Sequence, residues 1–526
     1  MLAIAATLVR TSPADVADLR PRPDALEYEE AARSLAEGRG YRLWIAGDAF
    51  PPRYPPGMSL LIAASLPIVG DAPGSGIHVV LAGALAVVAG AFVVARRAAG
   101  LFAAVAAALL VATSRLHVLW SQSVMSDVPA GAAVAWIAVW TVSVLQRRAR
   151  LLESFALGVA CGIAVWIRQP LVLVAAATCL TTLLLAPEDF AARIRRAFVT
   201  GLGVIAGVAP FLWLNARIFG SPLRSGYAFW APQSGFALGH ATTARFVGQA
   251  TPLGILTEQF SGDASLYAWP AALMLLLGTA IAFRLGRRAR TLCVFAWIVT
   301  ALFAGLLVSY SMPTRRLLLP VLPLLAATMS LAVADAAPRA SRALGAVLLA
   351  GALWLNLTIP IELLGQPIVP VFDTATLQKT AAVAEPNAVV LAHTSPFLFA
   401  RTLRRNGADR VWVPLRVDEH MLTIATRHLK PLEHDPAQGG WIEKPIVAGF
   451  SPARVIARVE ALCRSGRPVY LSAQRAARVS FMPELERTLR ERFGLVQVVP
   501  AEPWPVYRVD CGAVHGAPNG TAGQVS

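Results

Sequence analysis

The sequence predicts an α-helical polytopic membrane protein with a small C-terminal α/β domain outside the membrane, and three observations carry the prediction. The chain of 526 residues is 56% hydrophobic and only 15% charged, with a mean hydropathy of +0.57. Its apolar residues fall in long runs, and crossing a hydrocarbon core takes about 20 helical residues. Its arginines stand in short links between those runs, on alternate links. Helices satisfy their own backbone and tolerate lipid, while arginine is retained on the cytoplasmic side. The net charge of +16 therefore reads as topology. A nucleic-acid surface is disfavoured because the arginines are scattered rather than interleaved with aromatics on one soluble face.

Residues 1–9 are apolar but too short to span, and they lack the charged start and cleavage site of a signal peptide. They are read as a truncated first span or as the remainder of one that begins upstream. The run 58–69 has the length of an interfacial or re-entrant segment. Spans follow at 77–95, 101–119, 128–145, 155–167, 171–186, 198–214, 266–283, 292–310, 317–334 and 344–361. With the N-terminal fragment these make about eleven transmembrane helices, allowing short or paired segments. The arginine-bearing links 96–97, 146–150, 193–196, 284–290 and 339–342 all fall on one face, expected to be cytoplasmic. The opposite face receives a first outer loop at 10–76, turns at 121–129 and 168–170, a long outer loop at 216–265 and everything after 361.

The membrane domain is thus expected over 1–364. Composition turns soluble over 365–513, with short strands at 388–391, 410–414, 468–471 and 495–499 and helical periodicity at 452–463 and 483–493. The Gly/Ala/Ser-rich tail 514–526 is expected to be disordered. Cys161, Cys179 and Cys293 lie in apolar spans and read as inert thiols. Cys463 and Cys511 can pair if the C-terminal region is extracytoplasmic, although spacing does not give geometry. No CxxC or histidine-rich cluster suggests a metal. Gly201, Gly203 and Gly207 lie inside a span with no preceding strand, so helix packing is favoured over a nucleotide loop. His78, His117 and His240 are isolated and take no role, and no transporter-type repeat is seen.

The segment 23–57 holds most of the chemistry-bearing residues. Asp24, Glu27, Glu29 and Glu30 cluster on an expected amphipathic helix whose apolar stripe is Tyr28, Ala31, Ala32 and Leu35. They are read either as the solvated face of a connector or as carboxylates facing a reaction site at the outer surface. The RYPPG turn then holds Arg53 and Tyr54 just before the apolar run. Asp127, in SVMSDVP, suits a helix start and also a second carboxylate at the site, and the two roles can coexist. Arg168 lies between two spans in WIRQP. Arg53, Arg168, Arg315 and Arg316 all fall at headgroup depth, where arginine binds phosphate through paired donors; snorkelling to lipid is the simpler alternative. In SPLRSGYAFW, Arg224, Tyr227 and Trp230 suit a sugar face or an interfacial belt.

In this order the features resemble the C-type membrane glycosyltransferases that use polyprenyl-phosphate sugars, especially protein O-mannosyltransferases and lipid A aminoarabinose transferases. The resemblance covers roughly residues 1–361 and rests on Asp24 with Tyr28, the RYPPG turn, the MSD acid Asp127, Arg168, SPLRSGY and RRLLLPVLP. The family often follows the first Asp with Glu, whereas Ala25 follows Asp24 here and Glu27 stands next. The resemblance implies an inverting glycosyltransferase of the cytoplasmic (inner) membrane that moves a hexosyl or pentosyl group from a lipid-phosphate donor to a lipid, glycan or protein acceptor of the cell envelope. Asp24 would be the base and Asp127 would orient the acceptor or Asp24. Arg53, Arg168, Arg315 and Arg316 would hold the donor phosphate, and Glu27, Tyr28, Tyr54 and Tyr227 would position substrate. No cofactor is implied. The alternative is a transporter or a flippase for lipid-linked sugars, which would favour acids or broken helices at mid-membrane.

Overall fold

The computed structural model describes residues 23–45, 48–71, 74–146, 150–230, 268–309, 315–365, 380, 382–392, 411–414, 452–472, 482–499 and 505–512. The chain divides into two compact units, one of Met1–Ala17 and Arg53–Ile368, the other of Asp18–Pro52 and Val369–Ser526. The middle of the first outer loop therefore groups with the C-terminal segments. The N-terminal apolar fragment, most of the long loop 216–265 and the tail 514–526 lie outside the described residues.

After α1 (Pro23–Ala36), β1 (Leu43–Ile45) and β2 (Asp48–Phe50), which belong to the second unit, the first unit is helical. It comprises α2 (Pro56–Val69), α3 (Ile77–Ala99), α4 (Leu101–Thr113), α5 (Arg115–Ser121), α6 (Asp127–Val144), α7 (Leu151–Ile167), α8 (Val172–Leu185) and α9 (Phe190–Phe219), then α10 (Gly226–Trp230), α11 (Ala268–Leu285), α12 (Arg287–Ser309), α13 (Leu322–Ser330) and α14 (Arg339–Gly365). Among the described residues, Ile77–Ala99, Asp127–Val144, Phe190–Phe219, Arg287–Leu307 and Arg316–Val333 are long and apolar enough to cross a membrane, and five further apolar helices are shorter. The sequence-based count of about eleven spans is not decided by these lengths.

At the centre is α13, which is buried at every position and flanked by 3-10 turns at Arg315–Val321 and Leu331–Val333. Pro320 and Pro323 lack the amide donors that a regular α-helix would use, which favours the tighter turn before α13. Elsewhere close approach is made by glycine. A Cβ at Gly203 would overlap the Phe155 carbonyl, one at Gly207 the Val159 carbonyl, and one at Gly162 the Val204 carbonyl. Helices α7 and α9 thus meet backbone to backbone, and the Trp166 indole adds a bond to the Gly207 carbonyl at 3.0 Å. This agrees with the packing expected for Gly203 and Gly207, whereas Gly201 faces open space.

Two spans differ from expectation. Residues 101–119 break at Ser114, which is extended (φ −60°, ψ 125°), giving α4 and the short α5. The turn expected between 155–167 and 171–186 is present: the helix ends at Ile167, Arg168 is also extended (φ −155°, ψ 122°), and Pro170 lies in the 3-10 turn that follows. Finally, α9 begins at Phe190 rather than 198, where Asp189 Oδ1 accepts the Ala192 amide at 2.8 Å. Arg193 and Arg196 consequently lie on the helix rather than in a loop.

In the second unit, β1 and β2 form an antiparallel pair and the C-terminal strands form a sheet of order β4-β3-β5-β7-β6. Strands β3 (Val389–Ala392), β4 (Val411–Pro414) and β5 (Val469–Ser472) are parallel, and β7 (Val506–Val509) runs antiparallel to β5 and to β6 (Leu495–Val499). Helices α15 (Pro452–Arg464) and α16 (Met482–Phe493) supply Val455, Val459, Leu485, Leu489 and Phe493 to one core with Val389, Leu391, Val469 and Leu471. On both helices these core residues recur every four positions, a helical spacing that the sequence displays. Strand β7 was not expected, since Arg508 interrupts its apolar run; there the exposed residue alternates with Tyr507 and Val509. Cys463 and Cys511 are disulfide-bonded, with Cα atoms 5.2 Å apart.

Candidate active site

The turn between α5 and α6 gathers three predicted residues of the first unit. Asp127 opens α6 as its first residue but does not cap it; Ser126 holds the cap position without a side-chain bond to the helix amides. The Asp127 carboxylate instead faces Arg168, with Nη1 2.7 Å from Oδ1, and the same Nη1 lies 3.3 Å from Ser126 Oγ. Asp127 is wholly buried and Arg168 is 8% exposed. The charge contact on Oδ1 is short but off the hydrogen-bonding direction, and Oδ2 has no hydrogen-bond partner. A buried carboxylate with an oxygen to spare is ready to accept from a hydroxyl or amine.

Arg168 reaches this point because its own residue is extended: the chain leaves α7 before the next helix begins. On the other side of the turn, the Arg316 guanidinium stacks 5.5 Å over the Trp120 ring, with Nη1 4.0 Å from Met125 Sδ. Met125 and Ser126 are neighbours, so Arg316 and Arg168 are tied to adjacent residues of one turn. Arg315 lies in the same 3-10 turn as Arg316, and its side chain is outside the described residues.

The RYPPG turn forms a second group. Arg53 lies 5.4 Å over the Tyr54 ring, and Tyr54 meets Tyr227 edge-on at 5.4 Å between centroids. The turn's last residue explains the motif, since a Cβ on Gly57 would sit 2.5 Å from the Trp166 carbonyl carbon. Only glycine lets α2 rest on the end of α7, two residues before Arg168.

The remaining predicted residues, Asp24, Glu27 and Tyr28, lie on α1 in the second unit. Asp24 is half-buried in its first turn, while Glu27 (1%), Glu29 (4%) and Glu30 (1%) are buried. This overturns the reading of these acids as a solvated face. Arg33 Nη1 approaches Glu30 Oε2 at 3.5 Å, and Trp44 Nε1 donates to Ser34 Oγ at 3.2 Å, bracing α1 on β1. Trp120, Met125, Ser126 and Gly57 were missed as site residues. Apolar periodicity hides the first two, and only the spatial neighbours reveal the others. Among the described residues, no group of three or more His, Cys, Asp or Glu side chains is placed to hold a metal.

Residues 53–214 match the family model described as dolichyl-phosphate-mannose-protein mannosyltransferase, a stretch that includes Arg53, Tyr54, Asp127 and Arg168. Among solved structures, ArnT from Cupriavidus metallidurans bound to undecaprenyl phosphate aligns over 96% of this chain and 97% of its own, with a TM-score of 0.62 at 14% identity. The fold is that of the C-type glycosyltransferases. The same ArnT in the apo state aligns over 97% of this chain and 98% of its own, again with a TM-score of 0.62 at 14% identity. The archaeal oligosaccharyltransferase AglB from Archaeoglobus fulgidus gives a TM-score of 0.49 at 10% identity, over 97% of this chain and 73% of its own. No curated protein matches in sequence. The C-type fold therefore spans nearly the whole chain, the C-terminal α/β segment included.

Proposed function

We propose that the protein is an inverting glycosyltransferase that takes its sugar from a polyprenyl-phosphate donor. The observation that carries this reading is the fold shared almost end to end with a protein solved on undecaprenyl phosphate, with a buried acid–arginine pair inside the family-matched stretch. Asp24 acts as the base. The acceptor O–H or N–H gives its proton to the Asp24 carboxylate while its lone pair attacks the anomeric carbon. The bond from that carbon to the donor oxygen breaks, and the electron pair leaves with the polyprenyl phosphate. Arg53, Arg168, Arg315 and Arg316 stabilise the phosphate charge, and Asp127 orients the acceptor through its spare oxygen. A phosphate leaving group needs little protonation, so one base with several cations suffices. Tyr54 and Tyr227, which meet edge-on, position substrate, and the same role is proposed for Glu27 and Tyr28.

The site and the C-terminal domain are assigned to the extracytoplasmic side of the inner membrane. The Cys463–Cys511 disulfide supports this, because such bonds persist in oxidising compartments and are rare in the cytosol. The acceptor is a lipid, glycan or protein of the envelope.

The test uses purified protein in lipid nanodiscs with undecaprenyl phosphate as the binding probe, alongside mass spectrometry of envelope glycans from cells carrying each variant. Asp24→Asn is expected to bind undecaprenyl phosphate like the wild type and to lose the glycan product. Near-full product from Asp24→Asn, or no binding of undecaprenyl phosphate by the wild type, would overturn the assignment.

A further inference from the structure

At the end of α8 remote from Arg168, guanidinium groups from two helices converge on one helix terminus. Arg193 of α9 donates through Nη1 to the Leu184 carbonyl at 3.2 Å and through Nε to the Glu188 carbonyl at 2.8 Å. Arg287, opening α12, donates through Nη2 to the adjacent Leu185 carbonyl at 2.5 Å. Arg196 lies beneath them, buried, with Nη1 2.8 Å from Glu188 Oε1, Nε 3.1 Å from Ser154 Oγ and Nη2 2.5 Å from the Val144 carbonyl. The charges of Arg193, Arg196 and Arg290 all act on Arg287, with Glu188 opposing them.

Two carboxylates stand here. Glu188 gives Oε1 to Arg196 and keeps Oε2 buried rather than facing the exposed donors, and Asp189 caps α9. Helix carbonyls attract cations, and that accounts for one or two donors on each arginine. It does not account for two like charges held on consecutive carbonyls with donors left over. Among the described residues, Arg193 Nη2 and Arg287 Nε and Nη1 meet no protein acceptor.

Beside these donors runs an exposed apolar stripe on α9, Phe190 (69%), Ile194 (48%) and Phe198 (63%), flanked by Leu184 (49%) on α8. Paired guanidinium donors next to exposed aromatic and aliphatic side chains match a phosphate joined to acyl chains. A free anion would use the donors and leave the stripe bare. We propose that Arg193 and Arg287 bind the phosphate of an anionic phospholipid, whose glycerol and first acyl carbons lie along Phe190, Ile194 and Phe198. The lipid would neutralise the crowded cations and clamp α8, α9 and α12 at one membrane face. This site is separate from the catalytic turn and does not depend on the reaction proposed above.

Native mass spectrometry of the full chain in neutral detergent tests it, with phosphatidylglycerol, phosphatidylcholine and inorganic phosphate as probes. The wild type is expected to retain phosphatidylglycerol at concentrations about tenfold or more below phosphatidylcholine, given the attraction of two surface arginines for anionic lipid. The double variant Arg193→Gln/Arg287→Gln, if monodisperse, should lose that preference, while Arg342→Gln on α14 should keep it. Phe190→Ser/Phe198→Ser, which leaves every arginine in place, should weaken retention of phosphatidylglycerol without affecting inorganic phosphate. Equal retention of the two lipids by the wild type, an unchanged preference in either double variant, or displacement of the lipid by millimolar inorganic phosphate would overturn it.

Discussion

Arg168 shows what a single backbone break does with a charge. Its extended residue turns the side chain out of the helical path and onto Asp127, and both groups are removed from water. Desolvating two ions is costly, so removing one partner is worse than removing both; breaking a buried pair costs about 3–5 kcal/mol. Arg168→Gln should therefore lower the unfolding temperature in detergent markedly, whereas Asp127→Asn/Arg168→Gln should recover most of it. Neither variant should transfer sugar. Equal melting temperatures for the single and double variants would show that the pair is not coupled. From sequence, Asp127 and Arg168 were both visible as charges at span ends, because an ion beside lipid stands out against apolar neighbours. Their pairing was not visible, since 41 positions separate them and only the fold brings them within 2.7 Å.

Between elements, contact is decided by what is missing from a side chain. Gly201 and Gly203 lie two residues apart on α9, yet a Cβ meets nothing at the first and overlaps the Phe155 carbonyl at the second. Gly201→Ala should be neutral or stabilising by up to about 1 kcal/mol, from helix propensity alone. Gly203→Ala should cost about 1–3 kcal/mol, as overpacking does. Thermal unfolding of the two variants side by side checks the contrast, and similar shifts would mean that α7 and α9 do not meet there. Gly57→Ala should act differently, pushing α2 off the end of α7 and weakening undecaprenyl phosphate binding along with stability, because Arg53 and Tyr54 precede it in the same turn. A sequence displays small residues at helical spacing; it does not say which of them face a neighbour.

For the molecule as a whole, the disulfide ties sidedness to stability. Its two cysteines are 48 positions apart, and closing a loop of that size is worth about 2–4 kcal/mol in the unfolded chain. Cys463→Ser/Cys511→Ser should make the C-terminal region protease-sensitive at lower temperature. In spheroplasts, a membrane-impermeant maleimide should label these cysteines only after an external reductant is added; labelling without reduction would show that the two thiols are not paired, and no labelling after reduction would argue for a cytosolic domain. The sequence by itself determined the membrane class, most helices, four of the five C-terminal strands and the residue types suited to phosphate and proton transfer. Those properties follow from local periodicity and from the cost of placing charge in lipid, which each segment carries alone. Only the tertiary structure decided that the α1 acids are buried, that Asp127 pairs with Arg168 instead of capping its helix, that Arg316 rests on Trp120, and that three arginines crowd one end of α8. Each of these depends on neighbours remote in the chain, and distance in space between such residues is not encoded in any one stretch.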